Sequence, residues 1–341
     1  MNTLPCSPNR PVATVQSFAG RFVTPIRGWL ALAALASLLE VGAEARAAES
    51  ASPSRSPRLQ SLVDQAVRKT FEKFAEKNLQ ADQLAVTLVD LRDSTRPTQA
   101  SYRGHVQIYP ASVVKLFYMA AVHRWLEDGR IQETDEVRRA LRDMIVDSGN
   151  EPTHYLVDLL TGTTSGPELA ADELEAWLHQ RNAVNRYFAS LGYTNINVNR
   201  KPWCEGPYGR EMQSVKLHAP NHRNWLTTDA TARLLTEIAT GKAISGQRSA
   251  EMMKLLARSP FAADKKTDSQ ARDFTGIALA PGDKLWSKAG WTSETRHDAA
   301  YVEPARGPKF ALVTFTTGHA TEREIIPFVA KMIIESLTAT E

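Results

Sequence analysis

The chain has 341 residues, two cysteines, 43% hydrophobic residues and a formal net charge of +3. That suits one large globular domain, or two interlocked ones, with ample core, and excludes a disordered chain. No basic stripe suggests nucleic acid, and no long run of like charge suggests a tail.

In chain order the first feature is an address. Arg21 and Arg27 precede an apolar stretch at residues 29–39, and Ala45-Arg46-Ala47 follows as an A-x-A cleavage site. This reads as a secretory signal peptide over residues 1–47, and the expected location is secreted or periplasmic. The apolar core of 11 residues is short for a membrane span, so an uncleaved anchor helix is the lesser alternative. Cleavage leaves 294 residues, 341 less 47. The leader carries four Arg and two Glu, so the mature chain has a net charge near +1. Cys6 leaves with the leader, so Cys204 can form no internal disulfide and reads as a single structural or loop thiol.

Residues 48–57, rich in Ser, Pro and Ala, read as a linker. Leu59, Leu62, Val63, Ala66, Val67, Phe71 and Phe74 follow helical spacing. Residues 84–91 read as a strand, 93–97 as a turn, and 102–108 alternate as a second strand would. Helical patterns then dominate to about residue 259, over 112–121, 122–128, 136–147, 153–160, 170–191 and 228–240. Residues 195–225 break the pattern with three prolines and two glycines, as a long irregular loop of the kind that usually carries function or disorder. Three strands are expected at 283–291, 297–303 and 310–316, and an amphipathic helix at 322–337. The fold class is therefore α/β, of the α+β kind. A five-stranded antiparallel sheet is built from residues 58–110 and 261–341 and flanked by the terminal helices. An all-α lobe, residues 111–260, is inserted, with a cleft between the two.

Ser112-Val113-Val114-Lys115 is the only S-x-x-K in the chain, and it opens an apolar helix just after Pro110. Positions i and i+3 share a helix face, so Ser112 Oγ and Lys115 Nζ can meet. A serine hydroxyl becomes a nucleophile when a neighbouring base takes its proton, and a desolvated lysine can be that base. The helix N-terminus also aims N–H groups at charge developing beside Ser112. Two further motifs follow in order. Ser148-Gly149-Asn150 sits at a turn after the 136–147 helix, and Lys288-Ala289-Gly290 lies inside a predicted strand.

With these three motifs the chain resembles the serine β-lactamase and penicillin-binding protein superfamily, closest to the class A β-lactamases. The resemblance covers roughly residues 59–337, including the order of strands and helices. It implies that Ser112 attacks a strained or activated carbonyl, that Lys115 accepts its proton, and that Ser148 relays a proton to the leaving nitrogen. Asn150 would hold a substrate amide or steer Lys115. Lys288 would supply positive charge and attract a substrate carboxylate. Gly290 would let the substrate backbone approach, and the N–H groups of Ser112 and Trp291 would form the oxyanion hole. No metal and no cofactor is implied. The expected partner is a small-molecule β-lactam or a cell-wall peptide-like substrate, taken by a monomer without stable membrane insertion.

The sequence departs from the family pattern in three motifs or spacings. The second motif is Ser-Gly-Asn, closer to the penicillin-binding side. The third lacks a Thr hydroxyl, for which Thr292, Ser293 or Arg296 are candidate substitutes. The interval from Ser112 to Ser148 is short, which should open one rim of the cleft. The E-x-x-L-N pattern that carries the class A deacylation base is also absent from 195–225. Glu205 is the slightly favoured carboxylate there and Glu211 the other, with a solvated loop position the plainer reading for both; Glu168 fits a helix start. His218 and His222 lack an H-E-x-x-H pattern, so no zinc site is expected. His297 reads as structural or rim. Two alternatives stay open: a D-alanyl peptidase-like enzyme that deacylates slowly, and a non-catalytic binding or sensor module on the same fold.

Overall fold

The computed structural model describes residues 53–203, 206–217, 223–261 and 269–339. The leader, Cys204, Glu205, His218 and His222 therefore lie outside the described residues. Among the described residues no helix is long and apolar enough to cross a membrane.

The chain enters through β1 (Ser54–Arg55), which pairs in parallel with β3 (Thr98–Tyr102). The end of the stretch read as a linker is thus part of the fold. Ser56 caps α1 (Pro57–Lys73), its hydroxyl accepting from the Leu59 N–H, and Pro57 stands at the first helical position, where no N–H is needed. The buried stripe Leu59, Val63, Ala66, Val67 and Thr70 recurs at the helical period.

β2 (Leu84–Asp90) is buried along its whole length. It lies between β3 and β7 (Phe310–Thr317), followed in space by β6 (Thr295–Glu303), β5 (Lys284–Trp291) and β4 (Ala257–Arg258). The sheet order is β1-β3-β2-β7-β6-β5-β4. Five long antiparallel strands thus carry a two-residue strand at each edge, which extends the five strands expected. Side chains of β2 alternate between two cores. Leu84, Val86 and Leu88 pack with α1 and the last helix, α11 (Ile325–Thr338), while Ala85 and Val89 face the helical side. A strand covered on both faces has no polar face to show, so it reads as a continuous apolar run.

The helical side holds α2 (Lys115–Glu127), α3 (Asp135–Ile145), α4 (Asn150–Thr161), α5 (Ala171–Arg181), α6 (Ala183–Ser190), α7 (Gly209–Leu217), α8 (Thr228–Ala239) and α9 (Gly246–Leu256). α10 (Ser269–Arg272) follows before β5. α2 is buried from Lys115 through His123 without a polar gap and forms the axis of this lobe.

Three expectations change. The strand foreseen at 102–108 is β3 at Thr98–Tyr102, with Tyr102 opposite Val86 and Thr98 opposite Asp90. The chain leaves the ladder at Arg103, whose φ is 53°, and at Gly104, where a Cβ would lie 2.1 Å from Asp229 Oδ1. The alternation beyond comes from residues packed over a turn. The helix foreseen at 170–191 breaks at Asn182, which caps both α5 and α6. The irregular stretch at 195–225 contains α7, with Glu211 and Ser214 buried, and is tied down where Asn197 pairs with Trp225.

Candidate active site

The S-x-x-K turn is 3-10 over Ala111–Val114 and becomes α-helical at Lys115. Ala111 enters it with φ 45°, in the left-handed region that a non-glycine residue rarely holds. Ser148, on the turn between α3 and α4, has φ 60°. Such backbone outliers collect at functional sites, and here they stand on either side of one lysine.

Lys115 is completely buried. Its Nζ lies 3.1 Å from Ser112 Oγ, 2.5 Å from the Ser148 carbonyl oxygen, 2.9 Å from Asn150 Oδ1 and 3.4 Å from Ser148 Oγ. The first two motifs therefore meet on one nitrogen. Asn150 Oδ1 accepts from Lys115. The third motif arrives from β5. Lys288, also fully buried rather than an exposed strand lysine, donates from Nζ to Ser148 Oγ at 3.0 Å, Gln270 Oε1 at 2.6 Å and the Ala289 carbonyl at 2.7 Å. Ser148 Oγ thus sits between the two lysine side-chain nitrogens.

Two glycines fix these spacings. A Cβ on Gly290 would lie 2.7 Å from Pro110 O and 2.8 Å from both Ser112 N and Val113 N. β5 therefore runs in backbone contact with the turn that carries Ser112. A Cβ on Gly149 would lie 2.7 Å from Pro152 Cγ. Glycine is thus the fitting middle residue of the second motif here, because a proline ring in the first turn of α4 occupies the space.

Behind Ser112 stands His297. Its Nδ1 accepts from the Thr316 N–H at 3.1 Å, so its Nε2–H donates to Tyr109 O at 2.8 Å. Burial pushes its pKa down to about 4, which keeps the ring neutral. The structural reading of His297 holds: it fastens the residue before Pro110 to β6.

The rim is placed as follows. Trp291 is 44% exposed, with its ring tilted over Phe274 at 5.8 Å. Thr292 is exposed, but its hydroxyl accepts from the N–H groups of Glu294 and Thr295 at 3.1 and 3.2 Å and holds the β5–β6 turn. Arg296 is buried and directed away, donating to Asp273 O at 2.8 Å and lying over the Phe274 ring. Thr292, Ser293 and Glu294 line a cavity of about 540 Å³ with Tyr109, Ala111 and Trp203.

Glu205 lies outside the described residues. Glu211 is not a solvated loop residue: it is 1% exposed, and its Oε1 accepts from Arg181 Nη2 at 2.6 Å and Ser165 Oγ at 2.9 Å. Lys201 adds a bond of 2.8 Å to Asp158 and another of 2.9 Å to Ser165. This buried ionic cluster anchors α7 to α4 and α5, which is its evident use. His154, one turn beyond Asn150 on α4, lies 2.7 Å from Pro202 O through Nε2, and its ring lies tilted against Trp203 at 4.5 Å.

Two residues of this site escaped sequence reasoning. Gln270 receives Lys288, as above, and Arg258 of β4 donates to Ser287 O at 3.0 Å and Ile145 O at 2.9 Å. Neither stands in a motif, and both bind backbone carbonyls, which leave no trace in residue type.

Residues 65–337 match a family model described as "Beta-lactamase enzyme family". Among solved structures, a β-lactamase from Sphaerobacter thermophilus is similar, with 18% identity and a TM-score of 0.59 over 82% of this chain and 98% of that one. One from Chitinophaga pinensis has 17% identity and a TM-score of 0.59 over 80% and 99%. A structure described as PBP-A has 16% identity and a TM-score of 0.57 over 83% and 97%. At these identities the likeness is one of fold. A search of curated proteins finds no match.

Proposed function

The chain belongs to the β-lactamase enzyme family, and from that premise we propose that it is a serine hydrolase that opens β-lactam amides through an acyl-enzyme on Ser112. The observation that carries this reading is the surroundings of Lys115 Nζ. Two acceptors, Ser148 O at 2.5 Å and Asn150 Oδ1 at 2.9 Å, take two of its protons. Ser112 Oγ lies 3.1 Å from the same nitrogen. A neutral Lys115 thus turns its lone pair to the serine hydroxyl, and charged Lys288 nearby favours that neutral state.

In the acylation step Ser112 Oγ bonds to the carbonyl carbon as its proton passes to Lys115. The amide C–N bond then breaks. The proton reaches the leaving nitrogen through Ser148 Oγ, which lies 3.4 Å from Lys115 Nζ and 3.0 Å from Lys288 Nζ. Oxygen charge is held by the N–H groups of Ser112 and Trp291. The substrate side chain lies in the cavity between the 292–294 turn and Trp203. Water, with Glu205 as base, completes turnover. The enzyme works as a monomer outside the cytoplasm, exported by its leader.

A second reading, a penicillin-binding type enzyme with a long-lived adduct, is favoured by one observation. Glu211, the described member of the Glu205 and Glu211 pair, is held by Arg181 and Ser165. A chromogenic cephalosporin mixed with residues 48–341 tests both readings, with Ser112→Ala as control. Steady colour that Ser112→Ala abolishes supports hydrolysis. A stoichiometric burst supports the second reading. No colour and no adduct would refute both and leave a binding module.

A further inference from the structure

Gln270 is 3% exposed and makes four hydrogen-bond contacts through one amide. Oε1 accepts from Lys288 Nζ at 2.6 Å and from the Ala289 N–H at 3.1 Å. Nε2 faces Val146 O at 2.8 Å and Ile145 O at 3.2 Å. These partners fix the orientation of the amide: two donors meet the oxygen end and two carbonyls meet the nitrogen end. A rotation by half a turn would set oxygen against oxygen.

The carbonyls of Ile145 and Val146 end α3, where no helical N–H is left to satisfy them. Two residues on stands Ser148. One side chain therefore joins the strand that carries Lys288 to the turn that carries Ser148. Lys288 has an acceptor for each of its three protons: Ser148 Oγ, Gln270 Oε1 and Ala289 O. Gln270 and Ala289 hold Nζ from the β5 side, and Ser148 Oγ lies 3.0 Å from it. The amide is neutral, so it accepts from Lys288 without cancelling its charge. A carboxylate at this place would cancel it.

We propose that Gln270 is a positioning residue for acyl transfer at Ser112: its amide aims the Lys288 ammonium at Ser148 Oγ and holds the Ser148 turn against β5. The inference rests on the acyl-enzyme reading given above. Gln270 touches no reacting atom, and its effect is exerted through Lys288 and Ser148.

The test compares the wild type with Gln270→Leu and Gln270→Glu in the rate of Ser112 acylation by a penicillin, followed by intact mass across pH. Removing a partner that orients a site group costs roughly ten- to hundredfold. Gln270→Leu should lose that much in acylation rate while remaining folded by circular dichroism. Gln270→Glu keeps an acceptor, so part of the rate returns. Its added negative charge favours the protonated forms of both lysines, so both limbs of the pH–rate profile should move to higher pH. A merely structural residue would change melting temperature and leave the profile in place. A folded Gln270→Leu that acylates within twofold of wild type at every pH overturns the inference. If Gln270→Leu does not fold, the Gln270→Glu profile decides, and unmoved limbs overturn it. If no penicillin acylates even the wild type, the functional reading fails. NMR of lysine-labelled protein then decides the positioning role. A displaced Lys288 ammonium signal in Gln270→Glu supports it, and an unmoved signal overturns it.

Discussion

Replacing Gly290 by alanine tests whether the backbone contact between β5 and the Ser112 turn sets the site. The added Cβ would fall 2.7 Å from Pro110 O and 2.8 Å from Ser112 N and Val113 N, which is 0.6 to 0.7 Å inside the 3.4 Å at which ordinary contact begins. All three neighbours are backbone atoms of a 3-10 turn that His297 fastens through Tyr109 O. None can swing aside as a side-chain end would. β5 and the turn must therefore separate by more than half an ångström, between the two N–H groups assigned to the oxyanion. A misplacement of about 1 Å in a catalytic constellation costs on the order of a hundredfold in rate. Overpacking of this kind costs about 1–3 kcal/mol of stability. For a domain of this size that corresponds to a fall in melting temperature of roughly 2–10 °C. The assay is stopped-flow acylation by a chromogenic cephalosporin, with scanning calorimetry on the same preparation. Acylation within twofold of wild type, with the protein folded, would refute the reasoning, because it would show that the contact does not set the gap.

Further outcomes follow from other contacts. Gly149→Asp brings the second motif to the commoner family form but places Cβ 2.7 Å from Pro152 Cγ. It should cost about 1–3 kcal/mol in chemical denaturation, and Pro152→Ala in the same chain should recover part of that, a coupling that two independent sites would not show. Glu211→Gln removes the nearer of two carboxylates that face buried Arg181, 2.6 Å away in the native protein, and leaves Asp158 at 3.6 Å. The expected loss is about 1–3 kcal/mol by urea titration, and no measurable loss would contradict the ionic anchor. His297 has a folded pKa of about 4 against an ordinary 6.5. The unfolded chain therefore binds its proton first as pH falls. Its stabilisation is complete above about pH 6.5 and is lost progressively toward pH 4. The stability difference between wild type and His297→Gln should shrink across that window. His123, also near 4, and Asp298, raised to about 6 and acting with the opposite sign, are common to both proteins and cancel. A difference constant in pH would refute the neutral assignment.

What the sequence showed depended on where residue type carries the information. β2 declares itself because a strand buried on both faces leaves an apolar run, interrupted before Asp90 only by Thr87. The three motifs declare themselves because they are written in Ser, Lys and Asn side chains, and the fold brings these to one point at Lys115 and Ser148. The displaced β3 was hidden because Tyr102 to Ile108 alternates over a turn that packs against Asp229 through Gly104, a long-range contact with no local mark. Glu211 reads as solvated from sequence because a carboxylate usually is. Its burial depends on Arg181, 30 positions earlier. Gln270 and Arg258 were invisible for a related reason: their partners in the α3 turn are main-chain carbonyls, which every residue has. Thr292 does line the cavity, but its hydroxyl accepts from two N–H groups of its own turn, which residue type does not announce.

The decisive measurement is rapid-quench intact mass spectrometry of the mature protein with a penicillin, followed by peptide mapping. The expected result is a single covalent adduct on the peptide carrying Ser112. The adduct should be absent in Ser112→Ala and slowed by orders of magnitude in Lys115→Met. An adduct on another residue, or one that forms at the wild-type rate without Lys115, would contradict the mechanism.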